Sequence, residues 1–135
     1  MKEMGVYTEL INVAPGSFSA QAYILRDQKN GQINTFYPGA MSTSGELTHG
    51  NIPFQYAIIS PDSKEGMIRR VHECSSSGIF TIFDPGQAMG IFEKAELKRM
   101  TEIADITIMN EPERAQFREI TGEDFITLCI QNRHI

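Results

Sequence analysis

Ile79-Phe80-Thr81-Ile82-Phe83-Asp84-Pro85-Gly86-Gln87 is a short apolar strand that runs directly into a polar turn. A later segment repeats this arrangement, with Asp105 to Met109 followed by Asn110-Glu111-Pro112-Glu113. Short apolar runs that end in turn residues are typical of strands buried in a parallel sheet. Open α/β proteins bind their ligands just beyond the carboxyl ends of such strands. We therefore expect the functional residues to follow these strands.

Strands and helices alternate through the second half of the chain. The predicted strands cover 55–60, 79–83 and 105–109, and the predicted helices cover 62–78, 93–103, 112–120 and 123–130. The first helix is predicted to begin with a capping-box-like pair, Asp62 and Glu65. This alternation indicates right-handed βαβ crossovers. The predicted fold class is α/β, with a three-stranded parallel sheet flanked by helices.

A β-hairpin is predicted in the first half of the chain. Segments 19–27 and 32–37 are strand-like, and Lys29-Asn30-Gly31 supplies a tight turn between them. The first strand places Ala20, Ala22 and Ile24 on one side and Gln21, Tyr23 and Leu25 on the other, so we expect a small sheet packed on one surface and partly exposed on the second. Residues 38–53 are rich in Gly, Ser, Thr and Pro and predict a loop or a short helix.

Composition argues against several classes of protein. The 135 residues suit one domain, and 12 Lys and Arg against 17 Asp and Glu, without a basic run, do not suit a nucleic-acid groove. Cys74 and Cys129 have no Cys or His at metal-ligand spacing, so we predict small buried residues in a reducing compartment. Apolar runs such as 57–59 are too short to span a bilayer. We expect a soluble cytoplasmic protein without a leader peptide or a membrane partner.

Ser60, Asp84 and Asn110 each follow a predicted strand, so a parallel sheet would bring them to one edge. Asp84 has a second interpretation, because Asp-Pro-Gly favours a turn with no ligand. Asn110 could serve only as a helix cap ahead of Pro112. Glu113 lies in the first turn of that helix and could orient a metal-bound water, since magnesium sites combine one or two carboxylates with waters and phosphates. These alternatives stay open from the residues alone.

The remaining polar residues give no catalytic arrangement. His72 is predicted to be a surface or partly buried helix residue, and His49 and His134 lie in the loop and near the end of the sequence. Their spacing forms no Ser-His-Asp or Cys-His pattern, and the sequence contains no Gly-rich phosphate loop. Phe36 and Tyr37 are either packing residues of the hairpin or a cover for a flat apolar ligand.

The motifs, taken in order, resemble the ribokinase-like (PfkB) carbohydrate kinases, and within them the adenosine-kinase-like branch. They are Thr35 to Met41 on the hairpin, Ile59-Ser60-Pro61, Phe83 to Gln87, and Ala104-Asp105 leading to Asn110 to Glu113. The resemblance implies ATP-dependent phosphoryl transfer, with Mg²⁺, to a hydroxyl of a nucleoside or sugar. It also implies that residues 17–41 form a lid hairpin and residues 54–135 a portion of the α/β core.

Individual roles follow from the same resemblance. Phe36 and Tyr37 would cover the acceptor, and Gln87 would contact it near Asp84. Asn110 and Glu113 match the family's N-x-x-E pattern, which serves magnesium and phosphate handling. The Asp-Pro-Gly-Gln and Phe-Tyr-Pro-Gly stretches resemble nucleoside kinases more than fructokinases.

The chain departs from the family in two places. The family's amino-terminal portion, with its glycine-rich acceptor site, and its Gly-Ala-Gly-Asp motif, which supplies the anion hole and the catalytic base, have no counterpart in these 135 residues. We therefore expect a single partial kinase domain over 1–135 that matches the middle of the family's sequence, has no catalytic base and is inactive alone. As partners we expect a nucleoside or sugar, and either a second copy of the chain or the missing kinase portions. The alternatives are a non-catalytic remnant, or a ligand-binding or interaction module that uses exposed sheet edges.

Overall fold

The computed structural model describes residues 2–8, 10–28, 31–46 and 53–125. Its strands are β1 (Gln21–Arg26), β2 (Gln32–Tyr37), β3 (Tyr56–Ile59), β4 (Phe80–Phe83) and β5 (Ile106–Thr107). Strands β1 and β2 form an antiparallel hairpin, and the other strands form a parallel sheet in the order β3-β4-β5. The predicted α/β fold with a separate hairpin is therefore confirmed.

The helices are α1 (Lys64–Ser76), α2 (Lys94–Ile103) and α3 (Glu111–Thr121). The described part of the chain also contains three short 3-10 helices, at Lys2–Met4, Gly39–Glu46 and Gly86–Ile91. The second occupies part of the predicted loop or short helix over 38–53, and the other two were not predicted. Most of the predicted helix over 123–130, together with Lys29 and Asn30 of the predicted turn, lies outside the described residues.

The core lies between one face of the parallel sheet and the helices. Its buried side chains come from two strands, the three helices and the segment between β4 and α2: Ile59, Met67, Val71, Phe83, Met89, Phe92, Leu97, Met100 and Phe117. The rings of Phe83 and Phe92 meet edge to face, with centroids 6.2 Å apart. Cys74 is also buried, as predicted, and burial raises the pKa of its thiol.

The predicted start of α1 is wrong by one residue. Ser63, not Asp62, is the N-cap, and its Oγ accepts a hydrogen bond from the backbone N–H of Gly66 at 3.1 Å. Glu65 therefore does not complete a capping box with Asp62. Asp and Ser are both common N-cap residues. Here Ser63 is the cap, and the Asp62 carboxylate instead accepts hydrogen bonds from Ser44 and Arg70.

The partners of Asp62 connect the 3-10 helix that follows the hairpin to α1. Asp62 accepts hydrogen bonds from Ser44 Oγ at 2.7 Å and from Arg70 Nη1 at 3.0 Å. Arg70 also donates to the carbonyl oxygen of Ser44 at 3.0 Å, and Ser44 Oγ lies 2.6 Å from Ser63 Oγ. We call Ser44, Asp62, Ser63 and Arg70 the junction cluster. It ties the 3-10 helix after the hairpin to the first turn of α1.

A second link joins α1 to α2. Lys64 Nζ lies 2.8 Å from Glu96 Oε2, and the same oxygen accepts a hydrogen bond from the backbone N–H of Glu93 at 2.8 Å. The bond to Lys64, followed by the bond to Glu93, lowers the pKa of Glu96, and Glu96 in turn raises the pKa of Lys64. The ion pair holds the starts of the two helices together.

The hairpin differs from its prediction. Register pairs Ala22 with Phe36 and Tyr23 with Thr35, as alternation requires. However, β1 is exposed along its whole length, so the expected packed surface is wrong for this strand. The alternating pattern correctly predicted which side chains of β1 share a face. It did not predict whether either face packs against the core.

Candidate functional site

The site predicted from the sequence lies at the carboxyl edge of the parallel sheet. The backbone N–H of Asp84 donates to the carbonyl oxygen of Ile59 at 2.9 Å, so Ser60 and Asp84 leave the sheet side by side. The N–H of Ile108 donates to the carbonyl oxygen of Phe83 at 2.9 Å and extends the same edge toward Asn110. The structure therefore brings the residues after β3, β4 and β5 to one edge, which is where α/β proteins bind ligands.

The turn after β4 is held by a close approach to the segment after β3. Gly86 has φ of +44°, and a Cβ there would lie 2.8 Å from Cγ of Pro61 and 3.4 Å from Oδ1 of Asp84. Gly86 is buried, Asp84 is half-buried, and Gln87 is exposed on the 3-10 helix that follows. Only glycine fits this turn without strain, and the turn fixes where the Asp84 carboxylate leaves the sheet.

Replacing Gly86 with alanine tests that geometry. We expect Gly86→Ala to lower the free energy of unfolding by about 1–3 kcal/mol, because the new methyl group meets Pro61 and forces a left-handed backbone on an L-residue. Urea denaturation followed by circular dichroism measures the change.

Gly90→Ala is the matched control for that substitution. Gly90 lies on the same 3-10 helix without a positive φ, and a Cβ added there would lie 3.3 Å from Nε2 of the flexible Gln116 side chain. We expect Gly90→Ala to leave stability unchanged or to raise it by less than about 1 kcal/mol. Equal stabilities of the two variants would show that the turn does not need glycine at position 86.

Asn110 and Glu113 form a reciprocal capping box at the start of α3. Asn110 Oδ1 accepts from the backbone N–H of Glu113 at 2.9 Å, and Glu113 Oε2 accepts from the N–H of Asn110 at 2.9 Å. The capping interpretation of Asn110 is therefore confirmed. It leaves the metal interpretation of Glu113 open, because the capping bond uses one carboxylate oxygen and Oε1 can still meet a water.

Phe36 and Tyr37 lie at the end of β2, opposite Ala22 and Gln21. The two residues are 54% and 49% exposed, so neither is buried in the core. Neighbouring residues of a strand point to opposite faces, so the two rings lie on different sides of the hairpin. Their proposed contact with a ligand stays a prediction.

The donor set at the edge suits a cation held mainly by waters and phosphates. Among residues 2–8, 10–28, 31–46 and 53–125, no group of three or more His, Cys, Asp or Glu could hold a metal ion. Mg²⁺ typically takes only one or two protein carboxylates beside its waters and the substrate phosphates, and Glu113 with the Asn110 amide provides that kind of donor set. His72 is exposed on α1, as predicted.

Sequence reasoning missed the junction cluster. Ser44 and Arg70 are 26 positions apart, and neither belongs to a motif whose spacing would connect them. The tight packing at Gly66, where a Cβ would lie 2.8 Å from Ser44 Oγ, is likewise a tertiary feature. Within the described ranges, none of the helices has the length and apolarity that crossing a membrane requires.

Comparisons with known proteins show what this chain is similar to. No family model matches the chain. The nucleoside kinase of Burkholderia thailandensis in complex with inosine superposes on 95% of the chain with a TM-score of 0.88 and 35% sequence identity. The same kinase has also been solved in complex with ADP-inosine, with a TM-score of 0.86. This relative confirms the predicted resemblance over nearly the whole chain.

Two further proteins are similar to the chain. A nucleoside kinase of Thermoplasma acidophilum is 27% identical over 122 residues, or 90% of this chain. The nucleoside kinase of Methanocaldococcus jannaschii, an archaeal member of the ribokinase family, shares the fold with a TM-score of 0.70, at 22% identity over 84% of this chain. The chain spans only 38–42% of the length of these relatives. It is similar to part of a ribokinase-like nucleoside kinase.

Proposed function

We propose that this chain, as part of a ribokinase-like kinase, forms the acceptor-facing and phosphate-facing side of a site for ATP-dependent phosphoryl transfer to a nucleoside. The observation that carries the proposal is the superposition of nearly the whole chain on a nucleoside kinase that binds inosine. The meeting of Ser60, Asp84 and the start of α3 at one sheet edge supports it, because phosphoryl transfer depends on positioning two substrates at one place.

The acceptor side of the proposed site combines a carboxylate, an amide and aromatic rings. Asp84 would accept hydrogen bonds from the hydroxyls of the ribose, and Gln87, three residues further on, would contact the nucleoside beside it. Phe36 or Tyr37 would cover the flat base from the hairpin, since an aromatic ring can bury a flat apolar surface. Adenosine or inosine is the acceptor we favour over a free sugar.

The phosphate side is the start of α3. A helix amino terminus attracts anions, but Glu111 and Glu113 in its first turn repel phosphates. A divalent cation would resolve this conflict: Glu113 would help to hold it, and the bound cation would neutralise charge that develops on the transferred phosphoryl group. In this proposal Glu113 orients one of the waters of that cation, while Asn110 holds Glu113 in place.

A chimeric enzyme tests the proposal with all parts of the fold in one polypeptide. Residues 1–135 would replace the matched segment of the B. thailandensis nucleoside kinase, and ATP-dependent phosphorylation of inosine and adenosine would be measured. We expect turnover by the chimera and a loss of at least about tenfold in kcat/KM for Asp84→Ala, because a charged hydrogen-bond acceptor to substrate is removed. Glu119→Ala, an exposed carboxylate on α3, should stay within twofold of the parent.

The 135-residue chain alone is the second arm of that experiment. No Gly-Ala-Gly-Asp motif occurs in the sequence, so we propose that the base for the acceptor hydroxyl comes from outside these residues and that the purified chain gives no turnover. A folded chimera without kinase activity, or turnover by the isolated chain that Asp84→Ala abolishes, would contradict the proposal.

A second candidate function is a binding or interaction module without chemistry of its own. The exposed apolar side chains on one face of the hairpin, Tyr23, Leu25 and Ile33, favour it. They would also suit a second copy of the chain. A folded chimera that binds inosine but transfers no phosphate would favour this candidate over the kinase.

A further inference from the structure

One face of the parallel sheet is apolar, and none of the described residues packs over it. Register aligns Ile58, Ile82 and Ile106 across the three strands, and Tyr56 with Phe80 beside them. Tyr56 and Phe80 also meet ring to ring, with centroids 5.7 Å apart. We call the side chains on this side the open sheet face: Tyr56, Ile58, Phe80, Ile82, Ile106 and Ile108. All are exposed except Ile82, which is half-buried, and none carries a charge.

The chain's own crossovers cannot cover this face. Strands β3, β4 and β5 follow one another in the same direction across the sheet, and right-handed crossovers then place α1 and α2 on the same side. The core confirms that side, because Ile59 and Phe83 pack there with residues of α1, α2 and α3. Parallel sheets are normally covered by helices on both faces. Helices over the open sheet face would come from crossovers between strands that are added in the order opposite to β3-β4-β5, outward from β3.

The length of the matched relatives indicates where such helices come from. This chain covers 42% of the B. thailandensis kinase, so more than half of that fold lies outside the matched part. Among the described residues β3 is an edge of the sheet, with pairing on one side only. Additional parallel strands can join at this edge, and their crossovers would bring helices over the open sheet face.

We propose that the open sheet face docks the complementary part of a ribokinase-like kinase: a polypeptide that adds parallel strands at β3 and lays apolar helix faces over Ile58 and Ile106. The proposal rests on the sheet topology and on the similarity of the chain to part of the B. thailandensis kinase. It does not require the nucleoside chemistry proposed above. It predicts that this chain and such a polypeptide assemble without a covalent connection.

Coexpression tests the docking directly. The probe is the B. thailandensis nucleoside kinase with its matched segment replaced by a short Gly/Ser linker, coexpressed with the tagged 135-residue chain in the absence of added nucleoside. We expect the probe to copurify with the wild-type chain in a 1:1 complex. Ile106→Lys should reduce the captured amount by about tenfold or more, because docking would bury an unpaired charge.

The control is matched in chemistry and exposure. Ile91→Lys makes the same change at a side chain that is 46% exposed, against 42% for Ile106, but on the 3-10 helix that contacts α3. It should capture the probe within twofold of the wild type. Circular dichroism checks that each variant folds, and Ile58→Lys, at a position 67% exposed, provides the test if Ile106→Lys does not.

Several results would overturn the proposal. They are failure of the wild-type chain to capture the probe, equal capture by Ile106→Lys and wild type, and a stable homodimer through the open sheet face that the probe does not displace. Because no turnover is measured, an inactive chimera with intact capture would contradict only the proposed function. An active chimera without capture would contradict only the docking.

Discussion

Phe83→Ala is expected to lower the free energy of unfolding by about 3–5 kcal/mol, a large share of the roughly 5–15 kcal/mol that stabilises a typical folded protein. Phe83 ends β4, is fully buried, and meets Phe92 edge to face. Truncation leaves a cavity at the point where the sheet meets the helices. The loss is severe here because the open sheet face contributes little burial of its own. Urea denaturation monitored by circular dichroism measures it.

The control for this substitution is Phe36→Ala on the hairpin. Phe36 is half-exposed and outside the core, so we expect a change below about 0.5 kcal/mol. A loss below about 1 kcal/mol for Phe83→Ala would mean that the core relaxes around the cavity, and that the strand before Asp84 is not what holds the site edge in place.

The strands could be predicted because their apolar runs are short and each ends in a turn. The least accurate was β5, predicted over 105–109 and observed at Ile106–Thr107. Part of the difference lies at the first predicted residue, where the Asp105 carboxylate accepts a hydrogen bond from the backbone N–H of Thr81 at 2.7 Å. A side chain thus takes part in pairing at the start of the strand, and no periodicity in the sequence indicates that.

For the candidate site, the sequence predicted which residues share one sheet edge, but not how their loops pack. Parallel pairing was enough to bring Ser60, Asp84 and Asn110 to one edge. The packing of the Gly86 turn on Pro61 depends on how two loops approach each other, which local sequence does not encode. The junction cluster and the open sheet face are tertiary in the same sense. The first needs residues distant in sequence, and the second follows from strand order and crossover hand.

Glu113→Gln in the chimeric kinase is expected to lower kcat/KM for the nucleoside by about 10–100-fold and to raise the Mg²⁺ concentration needed for half-maximal rate. Glutamine can still accept the hydrogen bond that Glu113 Oε2 takes from the N–H of Asn110, so the capping box survives. What disappears is the negative charge that would orient a metal-bound water. Initial rates at varied Mg²⁺ and nucleoside concentrations, with stability measured in parallel, give both effects.

Glu111→Gln separates the metal role of Glu113 from its place in the helix. Both carboxylates lie in the first turn of α3, and each substitution removes one favourable interaction with the helix dipole, worth about 0.3–1 kcal/mol. Stability should therefore fall slightly in both variants, since Glu111→Gln removes in addition only an exposed ion pair with Arg114 at 3.9 Å. Activity should fall only for Glu113→Gln, because the Glu111 side chain is 86% exposed and takes no part in the capping box. Wild-type kinetics for Glu113→Gln would mean that Asn110 and Glu113 only start a helix, and that the cation is held by residues outside this chain.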